Sequence, residues 1–161
     1  MLRRVIDANV PIVANGRGTN ATPTCQLNAI LRLRDILSDG QIVIDDAGEM
    51  IEEYKRYCEP RGQPGVGDRF FREILMNYNE KVLRVRLDKD EHGNYVDFPN
   101  VPELANFDAD DIKFAAAARK TQTPVLNATD SDWLDYINPL VANGIHVEFV
   151  CGLNSAAWII A

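Results

Sequence analysis

Four acidic side chains stand where an α/β protein collects ligands for a metal ion. Asp7 follows an apolar pair that ends a predicted buried strand, and Asp130 follows the short apolar run 124–126. Asp111 lies in the first turn of a predicted helix, just after a loop. Carboxylate oxygens in such a group suit a hard divalent cation, Mg²⁺ or Mn²⁺. The sequence therefore predicts a metal site built from distant segments.

The fourth acid comes from a predicted helix that carries Glu49, Glu52 and Glu53. At about 100° per residue, its apolar stripe contains Met50, Ile51, Tyr54, Tyr57 and Cys58. Glu52 points away from this stripe, and Glu49 is explained by a capping box with Asp46. Glu53 borders the stripe and can reach inward, so it is the predicted site residue.

Some of these acids have an alternative interpretation as helix caps. Asp108, Asp110 and Asp111 could all serve one helix N-terminus, where a negative charge stabilises by roughly 0.3–1 kcal/mol. Asp7 could cap a turn in the same way. The sequence leaves both interpretations open for these residues.

The elements that must position the acids alternate between strand and helix. Strands are predicted at 3–13 (running into a turn), 41–45, 81–87, 124–126 and 146–150, and helices at 22–40, 46–60, 68–76, 108–120 and 133–142. The stretch 81–98 reads as a hairpin insertion with a turn at 91–94. This order predicts one domain over 1–161 with an α/β fold, a three-layer α/β/α sandwich around a mainly parallel sheet. Ligands of such sheets bind outside the carboxyl ends of the strands.

Net charge is −7, which argues against a nucleic-acid partner. The acids are concentrated, however: residues 88–136 hold 11 Asp and Glu against 4 Lys and Arg. This segment is either a solvated surface or half of a metal site, where a bound cation reverses the local field.

Cys25, Cys58 and Cys151 are odd in number and widely scattered, without a CxxC or Cys/His cluster. This spacing predicts neither a zinc site nor a disulfide framework. No apolar run approaches the roughly 18 residues that span a bilayer, and the N-terminus turns acidic too early for a secretory signal. A cytoplasmic protein without membrane contact is expected.

Taken in order, the acidic motifs resemble those of the PIN domain family. The matching segments are Val5-Ile6-Asp7-Ala8-Asn9-Val10, Met50-Ile51-Glu52-Glu53-Tyr54, Asp111-Ile112-Lys113-Phe114-Ala115-Ala116-Ala117-Ala118 and Val125-Leu126-Asn127-Ala128-Thr129-Asp130-Ser131-Asp132-Trp133. The resemblance implies a PIN-like fold and a metal-dependent nuclease, an endoribonuclease that cuts single-stranded RNA with a metal-activated water. It also implies the toxin of a toxin–antitoxin pair, with an antitoxin partner and a homodimer as expectations.

The resemblance assigns metal ligation to Asp7, Glu53, Asp111 and Asp130, directly or through water. Asp132 is a supporting ligand, and which of Asp130 and Asp132 is the main one stays open. Asn9 either orients Asp7 through a hydrogen bond or satisfies the backbone of a turn. Cations that could hold phosphates are Arg17, Lys55, Arg56, Arg61, Arg119 and Lys120.

Three other protein classes compete with this interpretation. A PIN fold kept as an inert protein-interaction module would carry no activity. A haloacid-dehalogenase-like phosphatase needs a second acid two residues after Asp7, where this chain has Asn9. A receiver domain would use an early acid pair such as Asp45-Asp46, but the predicted strand order fits it poorly.

Overall fold

A parallel β-sheet forms the centre of the computed structural model, which describes residues 2–160. Its strands are β1 (Leu2–Ile6), β2 (Gly40–Asp45), β3 (Val82–Val85), β4 (Val125–Asn127) and β5 (Val147–Phe149). They lie in the order β3-β2-β1-β4-β5, and every neighbouring pair is parallel. The central strand β1 pairs with β4 through Val5 opposite Val125 and Ile6 opposite Leu126. The predicted α/β fold is confirmed.

Helices cover both faces of this sheet. In the described part of the chain they are α1 (Asn9–Asn15), α2 (Pro23–Asp39), α3 (Glu49–Tyr57), α4 (Val66–Met76), α5 (Tyr78–Lys81), α6 (Ile112–Thr121), α7 (Ser131–Asp135) and α8 (Ile137–Ala142), with short 3₁₀ turns at Pro102–Leu104, Ala109–Asp111 and Ser155–Ala157. Helices α1, α2 and α4 pack together, α3 packs on α6, and both groups contact the central strands. Strands β2 and β4 are buried on both faces, which explains their continuous apolar runs. The result is the expected three-layer sandwich.

The first strand ends at Ile6, directly before Asp7, as predicted. The residues from Asn9 onward form helix α1, where the sequence predicted a turn. The Asp7 carboxylate accepts a hydrogen bond from the Asn9 backbone N–H and so turns the chain into the helix. Pro11 is tolerated because it lies in the first turn, where no helical N–H is required.

Helix α3 begins differently from the prediction, and the capping box of Asp46 and Glu49 is wrong. Asp45, the last residue of β2, accepts hydrogen bonds from the backbone N–H groups of Glu49 and Met50, each at 2.9 Å. Gly48 takes the left-handed conformation that brings the chain into the helix. The Glu49 side chain is therefore free for other contacts.

The hairpin predicted over 81–98 is present only close to its turn, and the structure describes this whole stretch. Its first half pairs in parallel with β2 as strand β3. A single antiparallel bridge joins Lys89 to Tyr95, around a turn in which the Asp90 carboxylate accepts the N–H groups of His92 and Asn94. The turn at 91–94 is confirmed, but the returning residues form a loop. The predicted helix over 133–142 is likewise divided, at Tyr136.

A disulfide joins Cys25 at the start of α2 to Cys151 just beyond β5, contrary to the expectation from cysteine spacing. The two Cα atoms are 5.0 Å apart although 126 residues separate them in sequence. Spacing along the chain carries no information on such a contact, because the sheet order brings β5 beside α2. Cys58 is a free, buried thiol. Within residues 2–160, no helix is both long and apolar enough to cross a membrane.

Candidate metal centre

Asp7 and Asp130 follow neighbouring strands at the carboxyl edge of the sheet. Asp7 comes directly after β1, and Asp130 comes three residues after β4. After β1 the chain crosses to β2 on one side, and after β4 it crosses to β5 on the other side. The chain therefore leaves these two neighbouring strands in opposite directions. Such a switch point opens a crevice at the strand ends, where α/β proteins bind ligands.

Asp111 reaches the same crevice from the start of helix α6, not from the end of a strand. It occupies the N-cap position of α6, but its side chain makes no capping hydrogen bond. Capping of the preceding 3₁₀ turn falls to Asp108, which accepts the Asp110 N–H at 2.9 Å. The structure thus separates acids that the sequence could not: Asp108 acts as a cap, whereas the Asp111 carboxylate is left for another role.

Asp111 belongs to two groups of carboxylates. One consists of Asp7, Asp111 and Asp130, and the other of Asp108, Asp111 and Asp132. Within each group one oxygen from every member lies within 4.8 Å of the others. Asp130 and Asp132 therefore each have a place, in different groups that share Asp111.

Burial and mutual repulsion make these acids hard to ionise. Burial raises the pKa of Asp111 far above its usual range, and the charges of Asp7 and Asp130 add to the effect. Burial likewise raises the pKa of Asp7, and the charges of Asp130 and Glu53 oppose the lowering effect of its hydrogen bonds. Like charges held together in a low-dielectric site disfavour ionisation. A divalent cation would relieve that cost.

The donor set fits such a cation. Both groups offer only carboxylate oxygens, which are the ligands of Mg²⁺ and Mn²⁺. The Oδ2 atom of Asp111 is buried and accepts no hydrogen bond from an N–H or O–H donor of the described residues. Asp130 lies beside Asp111 and can hydrogen-bond it only when one of the two acids is protonated. Buried polar atoms are almost always paired, so this oxygen is the one most in need of a ligand.

Asp7 is fixed by hydrogen bonds to both of its oxygens. The indole Nε1–H of the buried Trp133 donates to Oδ2 at 2.7 Å, and the Asn9 backbone N–H donates to Oδ1 at 2.9 Å. The sequence does not predict this role of Trp133. Its position three residues after Asp130 carries no signal that the indole donates to Asp7.

Asn9 bonds Asp7 through its backbone N–H, a contact that any residue except proline could make. Its side chain holds the loop after β4: the amide donates to Asn127 Oδ1 at 2.8 Å and accepts from the backbone N–H groups of Ala128 and Thr129. Asn127 in turn bonds both the N–H and the carbonyl of Asp130. This network sets the position of Asp130 relative to β1.

Glu53 is buried and Glu52 exposed, as the helix geometry predicts. Glu53 nevertheless belongs to neither of these two carboxylate groups. Its Oε1 accepts a hydrogen bond from Lys113 Nζ at 2.7 Å, and the same ammonium donates to the Asp110 carbonyl at 2.6 Å. Three of the four predicted ligands meet, and the fourth is paired with a lysine beside them.

Lys113 was missed from the sequence, although one signal was available. It lies in the first turn of α6, where the helix dipole disfavours a cation. A lysine at such a position indicates an acidic partner nearby. Its partner, Glu53, comes from α3, which packs against α6.

Half of the cations predicted to hold phosphates have other partners. Arg17 forms an ion pair with Asp68, and Arg119 donates to the Asp97 carbonyl at 3.2 Å. Lys120 lies 3.9 Å from Asp97 and donates to the carbonyl of Arg86. Lys55, Arg56 and Arg61 are exposed, and of these only Arg56 lines the cavity next to Glu53 and Lys113.

Comparisons of the chain with protein-family models, with curated proteins and with solved structures found no match.

Proposed function

We propose that this chain is a divalent-metal-dependent nuclease of the PIN type, an endoribonuclease that hydrolyses phosphodiesters in single-stranded RNA. The carrying observation is Asp111: its buried Oδ2 accepts no hydrogen bond from an N–H or O–H donor within residues 2–160, and it belongs to both carboxylate groups at the strand ends. A buried acid with a strongly shifted pKa in a crevice is a candidate functional residue.

Asp7, Asp111 and Asp130 would hold Mg²⁺ or Mn²⁺, with Asp132 and Asp108 in the adjoining group. Such a cation activates water and stabilises charge on a phosphoryl group. The protein contributes a rigid arrangement: Trp133 and Asn9 fix both oxygens of Asp7. Asp130 Oδ1 accepts a hydrogen bond from the Asp132 backbone N–H, and the other oxygen of Asp130 would be the metal ligand.

Glu53 enters this scheme as a neighbouring charge. Its carboxylate is close enough to raise the pKa of Asp7, but its ion pair with Lys113 occupies one oxygen. Direct ligation through that oxygen would require Lys113 to move. A role through water, or as the partner that positions Lys113, fits the contacts better.

The phosphatase alternative loses support because Asn9, at the position of its second acid, is committed to the β4 loop. An inert PIN-fold interaction module stays a competing proposal. The antitoxin partner, the homodimer and the cytoplasmic location also stay predictions. The Cys25–Cys151 disulfide weighs against the last of these, because cytosolic thiols are mostly kept reduced.

The test combines Mn²⁺ titration calorimetry with cleavage of a labelled single-stranded RNA. The wild-type protein should bind Mn²⁺ and cleave, whereas Asp111→Asn should lose metal binding and at least about 100-fold in rate, a typical effect of removing a ligand that stabilises transition-state charge. Asp35→Asn is the matched control, because Asp35 is an exposed aspartate of α2 that belongs to neither carboxylate group.

Equal loss in the two variants would contradict the assignment of Asp111. A wild-type protein that binds Mn²⁺ but cleaves neither RNA nor single-stranded DNA would favour the inert module. Cleavage of DNA alone would keep the nuclease and change its substrate.

A further inference from the structure

A cavity of about 390 Å³ lies beside the acid cluster, between the start of α3, the loop 86–98 and the 3₁₀ turn before α6. Glu53 and Lys113, which pair with each other next to the cluster, also line this cavity. Its volume falls within the roughly 300–1,000 Å³ typical of small-molecule sites. The cavity is thus a separate binding space that adjoins the proposed site of hydrolysis.

Three cations line the cavity: Arg56, Lys89 and Lys113. Lys113 forms an ion pair with Glu53, and Lys89 forms one with Glu49 at 3.0 Å. Arg56 makes no ion pair with a described residue, although it projects from α3 at the cavity wall. Its guanidinium is the group best suited to a phosphate, because it offers several donors in one plane.

Tyr95 supplies an aromatic wall. The loop that carries it is held against α3, because its hydroxyl donates to the Glu49 carboxylate and Lys89 binds the same acid. The Lys89 ammonium also lies 4.8 Å from the centre of the Tyr95 ring. A ring fixed by these contacts loses little conformational freedom when a ligand packs on it.

We propose that this cavity binds the nucleotide next to the scissile phosphodiester, with its base on Tyr95 and its phosphate at Arg56. The inference rests on the proposed nuclease function and adds a subsite to it. Single-stranded nucleic acids are held by this combination of aromatic rings and cations. Unpaired bases on a flexible strand can leave the backbone path and enter such a space.

The acids in the cavity agree with a base and not with a phosphate at their position. Glu49 and Glu53 are neutralised by lysines, but Glu52 and Asp110 are exposed and form no ion pair among the described residues. Carboxylates repel phosphates and accept hydrogen bonds from the amino and imino groups of base edges. The phosphate therefore belongs at Arg56, and the base edge faces the two acids.

The test measures binding of a fluorescent single-stranded RNA hexamer by anisotropy in EDTA, so that cleavage does not interfere. Tyr95→Ala should weaken binding about 5- to 150-fold, since stacking of one base contributes about 1–3 kcal/mol and each 1.4 kcal/mol is a factor of ten. Tyr95→Phe should stay within about twofold because it keeps the ring. The matched control is Tyr57→Ala, which removes an exposed tyrosine of the neighbouring helix that does not line the cavity.

Charge is tested by a second matched pair. Arg56→Gln and Lys55→Gln each remove one exposed cation of α3, but only Arg56 lines the cavity. Arg56→Gln should weaken binding and reduce the dependence of log K on log salt by about 0.7, the value for one phosphate contact on a single strand. Lys55→Gln should leave that slope unchanged.

The two proposals fail in different ways. Equal effects of Tyr95→Ala and Tyr57→Ala, or of Arg56→Gln and Lys55→Gln, would overturn the subsite. Mn²⁺-dependent cleavage that requires Asp111 would still support the nuclease in that case. A wild-type protein that binds no hexamer and cleaves no nucleic acid would overturn both.

Discussion

Two buried aspartates of this protein have opposite surroundings. Asp68 in α4 is 0% exposed and Asp111 before α6 is 6% exposed, so both carboxylates are removed from water. The pKa of Asp68 is lowered to about 2, whereas that of Asp111 is raised far above its usual range. Burial acts in the same direction on both. The difference therefore comes from what each carboxylate contacts.

Asp68 has a partner for each of its oxygens. Arg17 donates to Oδ1 and Oδ2, each at 2.6 Å, and Asn15 donates to Oδ1 at 3.2 Å. The backbone N–H groups of Glu59 and Gly65 complete the set. These donors outweigh burial, and the ionised acid ties the end of α1 to the loop before α4.

Asp111 has other acids where Asp68 has donors. Its neighbours Asp7 and Asp130 raise its pKa further, and its Oδ2 accepts no hydrogen bond from an N–H or O–H donor of the described residues. Asp68 is thus a carboxylate that stabilises the fold, whereas Asp111 is one that we propose binds a cation. Substitution by asparagine, which keeps the shape, should affect the two sites with opposite sign.

The largest expected effect on stability is at Asp68, whose carboxylate is fully hydrogen-bonded. Asp68→Asn should lower the free energy of unfolding by about 3 kcal/mol, because hydrogen bonds to charged groups contribute roughly 1.5–3 kcal/mol each and removing one partner of a buried pair is costly. Urea denaturation measures the change. A loss below about 0.5 kcal/mol would remove the contrast between the two aspartates.

Substitution of Asp111 should change the free energy of unfolding in the opposite direction. In EDTA, Asp111→Asn should raise the free energy of unfolding by about 1–2 kcal/mol, because asparagine is neutral and avoids the cost of either protonating the acid or ionising it beside Asp7 and Asp130. Added Mn²⁺ should reverse the ranking: at 100 times its dissociation constant, a ligand stabilises the wild-type protein by about 2.7 kcal/mol. If Asp111→Asn destabilised the protein in EDTA, the Asp111 carboxylate would already have favourable partners in the metal-free protein, as Asp68 does.

Acidity should resolve the two sites in the metal-free protein. Because the folded-state pKa values of Asp111 and Asp7 are raised, stability that is present below about pH 4, the pKa of an aspartate in the unfolded chain, is lost as the pH rises towards the folded-state values. An acid that stays protonated only in the folded state changes the free energy of unfolding by about 1.4 kcal/mol per pH unit. In EDTA this free energy should therefore fall by about 3 kcal/mol between pH 5 and 7, with a smaller fall in Asp111→Asn.

The depressed pKa of Asp68 acts on the other side of the pH scale. Its contribution is present above about pH 4 and is lost as the pH falls through about 2. Asp68→Asn should remove this acid branch and keep the slope between pH 5 and 7. A profile that stays parallel to that of the wild-type protein would contradict the assignment.

The smallest effect concerns the partner of Asp68. Arg17→Lys should cost about 0.5–1 kcal/mol, because lysine keeps the charge but cannot make the two parallel bonds of the guanidinium. RNA affinity in the anisotropy assay should not change, since Arg17 is engaged with Asp68. Weaker RNA binding without a loss of stability would return Arg17 to the phosphate-binding residues predicted from the sequence.

The sequence predicted what depends on local pattern. The strands that carry Asp7 and Asp130 are short apolar runs, and the inward position of Glu53 follows from helical periodicity. It could not distinguish Asp108 from Asp111, because capping depends on the backbone conformation of a 3₁₀ turn. The ion pair of Lys113 with Glu53 depends on packing between two helices that are remote in sequence.

The disulfide has a consequence for the covalent chain. Its two ends enclose residues 26–150, which include strands β2 to β5 and, apart from Asp7, the acids of the candidate site. A protease that cuts the exposed turn at 90–94 would therefore release no fragment until a reductant is added. On electrophoresis the nicked protein should run as one species without thiol and as two with it, which reports directly whether the crosslink has formed.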